Sequence, residues 1–457
     1  MSNGLPQRLE ELNKQFCVVR VKGKTLICKT ALELEFMTVQ SFKDWMANNQ
    51  ILGKKDKPIS VANAWLAWPN RRQYEGVVLI PKGDVPNGHL NIYRGWGVTP
   101  KQGKWPLLEN HIYEVLANGD EHAGDYMVWW CAWALQNMEK CAEAVLVLQG
   151  DKGAGKGVLG NGLCKIFGRH GVHIAEESLL TGRFKGHMLE CLLLFADEAV
   201  WGGNRKGAGG LQGLITESPL HIEQKFCDAI PMTNRLHIMM AADKEWVIPA
   251  GPHERRYAVF KVSNRYSQDM CPDAERINYF NALHHELYKG GGLEAFAWDL
   301  LNCYDLKNWH PRQIYKTAAL RHQQKLGMSP LQEWFEDVLE VGELPRGAGV
   351  KPQPPLKDLQ ANEVTTEALK HHAAECVPKL RDLSNQTLAT FLQGKEGQGA
   401  WRWKTRDFRG WAFPPLQECR RLWERKFGPR EWEPRKDWGE PVAEQKNTSA
   451  TVIPFKS

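Results

Sequence analysis

Short apolar runs bounded by turn residues dominate the first part of the chain, up to residue 109. Strands of globular proteins have this length, with Gly, Asp, Asn and Pro between them. A few stretches between the runs are long enough for helices. The pattern predicts an α+β region over residues 1–109, whose strands include FCVVRV, KTLIC, GVVLIP and LNIYRGWG.

From Asn110 onward, the apolar residues first recur at helical spacing, with a Gly-Asp break near residues 119–120. Four almost wholly apolar runs follow, and a helix is predicted near residues 157–168, between the first two runs. Such continuous runs are typical of parallel strands that helices cover on both faces. We expect an α/β core over residues 110–265 with the strands EAVLVLQ, CLLLFADE, RLHIMMAAD and RRYAVFKV.

The rest of the chain is predicted to be mainly helical. Helical spacing continues through residues 266–344, and the Gly- and Pro-rich stretch at 345–355 has the composition of a linker. Residues 345–440 are expected to form a small helical or winged-helix-like domain. The polar tail, 441–457, has the composition of a disordered segment.

Composition narrows the class of protein. A chain of 457 residues, 42% hydrophobic and 25% charged, is long enough for several globular domains. The net charge of +6 permits an acidic partner such as nucleic acid without requiring one. Eleven cysteines are scattered with no C-x-x-C pair, which argues against a zinc ribbon and indicates free thiols in a reducing cytoplasm.

The sequence offers no sign of secretion or of a membrane anchor. The N-terminus, MSNGLPQRLEELNKQF, is polar and charged, unlike a signal peptide. The most apolar window, residues 126–135, is about half as long as a bilayer-spanning helix. We therefore expect a cytoplasmic protein that does not associate with a membrane.

A glycine cluster stands between the first apolar run of the core and the helix predicted after it. Gly150, Gly155 and Lys156 have the spacing of a phosphate-binding loop, G-x-x-x-x-G-K. Glycines let backbone amides turn inward around a phosphate, and the helix N-terminus and the lysine add positive charge. The sequence predicts a nucleotide site formed by Gly150, Asp151, Lys152, Gly153, Ala154, Gly155, Lys156, Gly157 and Val158.

The last position of this loop departs from the pattern, because Gly157 stands where a serine or threonine hydroxyl would bind magnesium. Magnesium keeps several water ligands in proteins, so the site can function with one protein ligand fewer. Two acids end the second apolar run. We expect Asp197 to bind Mg²⁺, directly or through water, and Glu198 to polarise the attacking water. The alternative is a strand that merely exits to solvent at two acids.

Two later positions complete a hydrolytic set. Asp243 ends the third run, where a polar side chain can touch the γ-phosphate or the attacking water. Arg255 and Arg256 begin the fourth run, and a guanidinium directed at a neighbouring subunit's nucleotide can raise the rate by about 10³–10⁵. Taken alone, an arginine pair is more often a surface or ion-pair feature.

This ordered series resembles superfamily 3 helicases, and within them the helicase domain of phage and plasmid primase-helicases. The resemblance runs from about residue 110 to 265, and more loosely beyond. It rests on the stretches VLQGDKGAGKGVL, LLLFADEA, HIEQKFCDAIPMTNRLHIMMAADKEWVIPAG and ERRYAVFKVS.

The resemblance implies an AAA+-like ATPase core that binds ATP with Mg²⁺ at subunit interfaces and forms a hexameric ring around single-stranded DNA. It implies that Arg255 or Arg256 reaches the neighbouring subunit's ATP, in a bacterial host where a phage or mobile element replicates. It also implies a pore-lining hairpin at about 218–234. The DNA-binding candidates are Lys225 in this hairpin and, in the mobile-looking stretch GGNRKGAGG, Lys206 and Arg205.

Two departures limit what the resemblance implies. The family usually has asparagine where this chain has Asp243, and an aspartate repels the γ-phosphate and cannot donate an amide hydrogen. Slower turnover is the expected result. Residues 1–109 are too few for a primase-polymerase domain, so a primase or polymerase would be a separate partner chain.

Residues 401–415, WRWKTRDFRGWAFPP, interleave basic and aromatic side chains. Such a mixture suits single-stranded DNA, with phosphates on Arg and Lys and bases stacked on rings. We expect these tryptophans to serve mainly as the core of the small C-terminal domain, and leave a DNA role to the charges.

Three functions are compatible with these features. The first is an ATP-driven DNA helicase or translocase, which predicts DNA-stimulated hydrolysis and a ring. The second is a replication initiator that ATP assembles on DNA, with turnover of about 0.1 per second or less. The third is a nucleotide or small-molecule kinase, which leaves the paired acids and paired arginines unexplained.

Overall fold

The computed structural model describes residues 4–31, 34–52, 57–182, 185–198, 205–224, 227–251, 254–346, 359–393, 399–430 and 432–439. Contacts within the chain divide it into two units. Unit 1 comprises residues 1–248 and 255–320, and unit 2 comprises residues 249–254 and 321–457. The finer division of the chain at residues 109, 265 and 344 remains a prediction.

The beginning of unit 1 contains both strands and helices, as the alternating runs predict. Its elements are α1 (Gly4–Gln15), β1 (Phe16–Val21), β2 (Lys24–Lys29), β3 (Glu35–Thr38), α2 (Val39–Trp45), β4 (Gln50–Leu52), β5 (Pro58–Ser60), α3 (Val61–Leu66), β6 (Gln73–Tyr74), β7 (Gly76–Val78) and β8 (His89–Asn91). One sheet has the order β3-β2-β1-β6. Phe16, Phe42 and Trp65 are fully buried where the helices pack on it.

A helical stretch leads into the central sheet. It consists of α4 (Pro106–Asn110), a π-helical turn (His111–Leu116) and α5 (Glu121–Gln136). Asn118 and Gly119 have positive φ angles, and the Asp120 side chain accepts a hydrogen bond from the Ala123 amide (3.1 Å). The Gly-Asp break predicted near residues 119–120 is therefore a reversal that ends in a helix N-cap.

The central sheet follows. Its region contains β9 (Val145–Gln149), α6 (Gly157–Phe167), β10 (Gly171–Ile174), α7 (Glu177–Thr181), β11 (Leu193–Asp197), α8 (Arg205–Thr216), β12 (Leu220–Gln224), β13 (Cys227–Met232), β14 (His237–Ala242) and β15 (Tyr257–Lys261). The order of the five-stranded sheet is β10-β11-β14-β9-β15, and every neighbouring pair is parallel. The prediction of an α/β core with a parallel sheet is confirmed.

Burial explains which strands the sequence reveals. Every residue of β9 and β14 is buried, and β11 and β15 are buried except for their last residues. These are the four predicted runs. The pattern does not predict β10, because its four residues form a partly exposed edge strand and lack a continuous apolar run.

The glycine-rich stretch at residues 202–210, expected to be mobile, is helical in the part that the structure describes. Helix α8 begins at Arg205 and continues to Thr216. Leu211, Leu214 and Ile215 are buried on its later turns. Their packing outweighs the helix-propensity penalty of about 1 kcal/mol for each glycine.

The remaining elements are α9 (Asp273–Tyr288), α10 (Gly292–Asn302), α11 (Ala318–Leu326), α12 (Pro330–Val341), β16 (Glu363–Thr365), α13 (Thr366–Cys376), α14 (Asn385–Gln393), β17 (Trp401–Lys404), β18 (Arg409–Ala412) and α15 (Leu416–Phe427). Most of the predicted linker at 345–355 and the whole tail, 441–457, lie outside the described residues. No helix within the described ranges has the length and apolar character needed to cross a membrane.

Unit 2 has its own core. Its three-stranded antiparallel sheet has the order β16-β18-β17, with β17 and β18 forming a hairpin. The sequence pattern groups α12 with the extension at 266–344. In the structure, Trp334 and Phe335 of α12 pack in the same cluster as Phe413 and Trp423, because the apolar face of α12 is covered within this unit.

Candidate active site

Three strand ends bring the predicted nucleotide-site residues to one edge of the central sheet. Strands β9, β14 and β11 are parallel neighbours, so their carboxyl ends lie together. Loop 150–156 follows β9, Asp197 ends β11, and Asp243 follows β14. Ligands of open α/β sheets bind outside the carboxyl ends of the strands. A cleft of about 470 Å³ lies at this edge. It is lined by the loop, by Asp197, Glu198 and Asn161, and by three side chains of α9, which are Phe280, His284 and Tyr288.

Two glycines give the loop its shape. Gly153 and Gly155 have φ angles of 77° and 91°, a backbone region that other residues rarely adopt. A β-carbon on Gly155 would lie 2.5 Å from Cε1 of His111 and 2.9 Å from Cε1 of Phe280. The second loop glycine therefore cannot be replaced by a larger residue without displacing its neighbours.

Lys156 is held inside the loop. It is 8% exposed, and its Nζ donates hydrogen bonds to the carbonyl oxygens of Gly150 (2.6 Å) and Asp151 (2.7 Å). Burial lowers the pKa of Lys156, and the carboxylates of Asp243 and Asp197 act in the opposite direction. The hydrogen-bond acceptors of the Lys156 ammonium are these two carbonyl oxygens, which are neutral. An anionic group that entered the loop could therefore replace them.

His111 supports the loop from the π-helical turn, a contact that the sequence does not reveal. Its Nε2 lies 3.1 Å from the Gly155 carbonyl oxygen, and its Nδ1 lies 2.9 Å from the Tyr279 hydroxyl. Because a carbonyl oxygen only accepts, Nε2 donates to Gly155 and Nδ1 accepts from Tyr279. Burial lowers the pKa of His111 to about 4, so the ring is neutral at neutral pH.

The two predicted acids differ in their surroundings. Asp197 is partly buried, and its Oδ2 lies 3.6 Å from Nε2 of His173 on β10. Burial raises the pKa of Asp197, the His173 ring lowers it, and the Glu198 carboxylate raises it. Glu198 is exposed and has a φ of 58°, and its amide donates to the Ala241 carbonyl oxygen (2.8 Å). Strained non-glycine residues of this kind concentrate at functional sites.

The space beside Gly157 shows what its missing side chain would touch. A β-carbon there would lie 3.4 Å from Nδ2 of Asn161 and 3.6 Å from Oδ2 of Asp197, which are ordinary contacts. A hydroxyl at this position would therefore stand between α6 and the acid strand. Asn161, one turn later on α6, already places a polar carboxamide in that space. The loop pattern in the sequence does not point to this residue.

Asp243 forms an ion pair with the loop. Nζ of Lys152 lies 3.6 Å from Oδ2 of Asp243, and the lysine side chain is 68% exposed. Solvent screens such a pair, so its contribution to stability is small. The contact nevertheless places a positive charge beside this aspartate.

The two arginines lie at the opposite edge of the sheet. Arg255 and Arg256 precede β15, whereas loop 150–156 follows the parallel strand β9, and the Arg256 carbonyl oxygen accepts from the Val145 amide (2.7 Å) at the start of β9. Five strand residues, about 16 Å, separate the two edges. The structure therefore does not bring either arginine to the loop of its own chain.

The structure describes part of the region that holds the DNA-binding candidates. Strands β12 and β13 form an antiparallel hairpin at the place where the resemblance implies one. Lys225 lies outside the described residues, and the backbone of Arg205 and Lys206 opens α8 without described side chains.

The donors at the edge suit a magnesium ion that is held mainly by phosphate. In the described part of the chain, no three His, Cys, Asp or Glu side chains cluster as a metal site. Magnesium bound with a nucleotide needs only one or two carboxylates besides phosphates and waters. Asp197, with the carboxamide of Asn161 beside it, meets that requirement.

Comparison with known proteins adds a fold but no established activity. Residues 148–256, which contain the loop, the acids and the arginines, match a family of unknown function, DUF5906. No curated protein sequence matches the chain.

Two solved apo structures of the C-terminal region of NrS-1 are similar over nearly the whole chain. One has a TM-score of 0.60 at 16% identity and covers 91% of this chain and 100% of that region. The other has a TM-score of 0.63 at 16% identity and covers 90% and 99%. A JCV helicase aligns with 50% of this chain and 64% of its own, at 13% identity and a TM-score of 0.28, too poorly to support an argument. The chain thus shares its fold with the NrS-1 region.

Proposed function

We propose that the protein is an ATP-dependent DNA helicase or translocase of phage or mobile-element replication, with an AAA+-like core. The observation that carries the proposal is the meeting of the glycine loop, the paired acids and Asp243 at one edge of a parallel sheet. The strand order supports it, because β14 lies between the loop strand β9 and the acid strand β11. The sequence resemblance to superfamily 3 helicases supplies the link to DNA.

The loop would bind the phosphates of ATP. Its inward-turned amides and the N-terminus of α6 attract negative charge. Lys156 would leave the carbonyl oxygens of Gly150 and Asp151 and donate to the β- and γ-phosphates. The buried ammonium then exchanges two neutral acceptors for charged ones, which gives stronger hydrogen bonds.

Asp197 would hold Mg²⁺, with Asn161 beside it in place of the missing hydroxyl of residue 157. Bound there, the ion would neutralise charge on the β- and γ-phosphates. Glu198 would accept a proton from the attacking water, since it is exposed at the end of the same strand. Lys152 would reduce the repulsion between Asp243 and the γ-phosphate, because it lies 3.6 Å from that carboxylate.

Helix α9 would supply a wall for the nucleobase. Phe280, His284 and Tyr288 follow one another at intervals of four residues, which places them on one helical face toward the cleft. The wall extends about 12 Å along the helix from Phe280, which lies next to Gly155 of the loop. An aromatic face of this kind stacks with a purine base.

The arginines would complete the site of a neighbouring copy. Arg255 and Arg256 lie one strand length from their own loop, so they serve catalysis only in another subunit. That arrangement supports a head-to-tail assembly with ATP at the interfaces, for which we propose a hexameric ring. Single-stranded DNA would pass the β12–β13 hairpin, with Lys225, Lys206 and Arg205 as the proposed contacts.

The decisive experiment measures ATP hydrolysis with and without single-stranded DNA in three proteins. The wild type is expected to show DNA-stimulated hydrolysis. Lys156→Ala is expected to lose nucleotide binding, and Glu198→Gln to keep binding while hydrolysis falls by about 10²–10⁴. A helicase assay on a forked duplex follows for the wild type.

The alternative function makes a different prediction for the same samples. A replication initiator would assemble on DNA when nucleotide is added, with hydrolysis that stays negligible in all three proteins. Asp243 in place of asparagine is the observation that favours it. Phosphate transfer to an added nucleoside or sugar acceptor by a monomer would instead indicate a kinase and overturn both DNA functions.

A further inference from the structure

Unit 2 contains a second large cleft, which the proposed nucleotide site does not use. It has a volume of about 1110 Å³ and lies between the β17–β18 hairpin and the first turns of α13 and α14. The hairpin side carries three basic residues, Arg402, Lys404 and Arg409. Glu367 and Asp407 are the acids of the lining.

The register of the hairpin places like charges opposite each other. Lys404 pairs with Arg409 across the antiparallel ladder, so both side chains leave the same face, and both are exposed. Like charges directly opposite each other destabilise a sheet. Within described residues 359–393 and 399–430, neither side chain forms an ion pair with a carboxylate. An anionic partner seated between them would remove this repulsion.

Aromatic side chains alternate with basic ones along β17. Trp401 and Trp403 share one face of β17, about 6.6 Å apart, and Trp401 is 51% exposed. Gly410 leaves room for the Trp403 ring, because a β-carbon there would collide with it. Both rings leave the face of β17 opposite to Arg402 and Lys404, and β17 is an edge strand, so a ligand that contacts rings and charges together passes over this open edge.

Two indole nitrogens of the lining are without acceptors. Trp411 is 3% exposed and lines the cleft, with the Arg402 guanidinium 5.2 Å from its ring centre. Neither its Nε1 nor that of Trp403 has a hydrogen-bond partner among the described residues. Buried polar atoms are almost always paired, so two such donors in one cleft indicate a ligand with acceptor oxygens.

The opposite wall adds partial positive charge. Helices α13 and α14, of 11 and 9 residues, begin at the cleft with Thr366 and Asn385. The caps Thr365 and Ser384 satisfy one backbone amide each. The remaining first-turn amides and the helix dipoles favour negatively charged groups.

We propose that this cleft binds a single strand of nucleic acid, with phosphates on Lys404, Arg409 and the helix starts. Its bases would pass over the open edge of β17 to Trp403, which lines the cleft, and to Trp401 beyond it. Contiguous basic and aromatic side chains on an open strand edge suit a flexible polyanion with flat bases. The inference goes beyond the proposed function, which assigns DNA contact to unit 1. It does not require that unit 1 hydrolyse ATP.

The test uses the full chain without nucleotide and a fluorescein-labelled oligothymidine of about 20 nucleotides, followed by anisotropy. Lys404→Glu with Arg409→Glu keeps two like charges opposite each other, so the fold is matched while attraction to phosphate is reversed. The matched control is Lys379→Glu with Arg381→Glu, two exposed positions beyond the far end of α13. The hairpin variant is expected to bind at least tenfold more weakly, and the control to bind as the wild type does.

Two further variants separate the contribution of positive charge to DNA binding from effects on folding and from the contribution of base stacking. Lys404→Gln with Arg409→Gln adds no negative charge and is expected to give an intermediate loss, with a salt slope smaller by about 1.4. Trp401→Ala, at an exposed position, is expected to weaken binding by about fivefold or more.

Several outcomes would overturn the inference. They are unchanged affinity in the hairpin variant, an equal loss in the control, or tighter binding of a duplex of the same length that depends on the same two residues. The DNA-binding titration contains no nucleotide, so its failure would not contradict the proposed ATP hydrolysis. A failure to detect ATP hydrolysis would likewise not contradict DNA binding by the cleft.

Discussion

The nucleotide edge of the central sheet and the hairpin cleft of unit 2 both gather positive charge, but they do so differently. At the edge, Lys156 is buried and bonded to loop carbonyl oxygens, and the loop is held by His111 from 44 residues away. In the cleft, Lys404 and Arg409 lie on one continuous hairpin and are exposed. The first arrangement is preorganised and the second is open.

The difference indicates what each region can bind. A loop shaped by two glycines of positive φ and a buried lysine fits one group of defined size, such as a triphosphate. An open strand edge with alternating charges and rings fits a polymer whose position along the strand varies.

ATP hydrolysis at the nucleotide edge is expected to need a second chain, whereas DNA binding in the hairpin cleft is not. Arg255→Ala with Arg256→Ala should lower ATP hydrolysis by about 10³ or more, because a missing arginine in trans leaves transition-state charge without a partner. Mixing this variant with Lys156→Ala should restore part of the activity, since each supplies what the other lacks. Steady-state hydrolysis across mixing ratios measures this.

Two results would contradict that prediction. One is a mixture with no more activity than the sum of its two components. The other is full hydrolysis by the double arginine variant alone. The control is the anisotropy titration described for the cleft, which should give the same DNA affinity for each protein before mixing.

Acid is expected to weaken the edge through His111. Its pKa is lowered to about 4 in the folded chain and is ordinarily about 6.5, so the unfolded chain binds more protons between these values. Stability therefore falls as pH drops from 6.5 towards 4, by about 2 kcal/mol at pH 5 for this one ring. Denaturant unfolding at pH 7.5 and 5.0 gives the difference.

His111→Gln supplies the comparison for the acid effect. A glutamine can donate to Gly155 and accept from Tyr279 without titrating. The variant should lose about 2 kcal/mol less than the wild type between the two pH values. An equal loss would show that other groups, such as the buried His237, carry the whole pH dependence.

Gly157→Ser is expected to have the smallest effect, and a favourable one. The added hydroxyl would reach the space beside Asp197 and Asn161 and supply the absent ligand, tightening Mg²⁺-dependent nucleotide binding by about threefold to tenfold. Titration of a fluorescent ATP analogue at several magnesium concentrations measures it. Gly157→Ala adds the β-carbon alone, and an equal gain in that variant would remove the magnesium explanation.

Local patterns in the sequence predict most of the central sheet. Strands β9, β11, β14 and β15 are continuous apolar runs, and the spacing of Gly150, Gly155 and Lys156 is a local property as well. The edge strand β10 and the helix α8 escape the pattern. Strand β10 is a partly exposed edge strand without a continuous apolar run. Helix α8 contains several glycines, whose helical conformation depends on packing.

Contacts between distant residues could not be predicted in the same way. His111 meets Tyr279 across 168 positions, and nothing in either local pattern links them. The aromatic face of α9 has helical spacing, but only the fold shows that it lines the loop's cleft. For residues 401–415, the expectation that tryptophans form core is confirmed for Trp411 and wrong for Trp401, which is 51% exposed.

The placement of Arg255 and Arg256 at the sheet edge opposite the loop has a consequence for counting. If the arginines act as proposed, every chain supplies an arginine to one neighbour and receives one from the other neighbour. The number of complete sites then equals the number of interfaces, not the number of chains. An open row always contains one unfinished site at its end, and only a closed circle contains none. Activity per chain would then rise with assembly length and become constant once the circle closes.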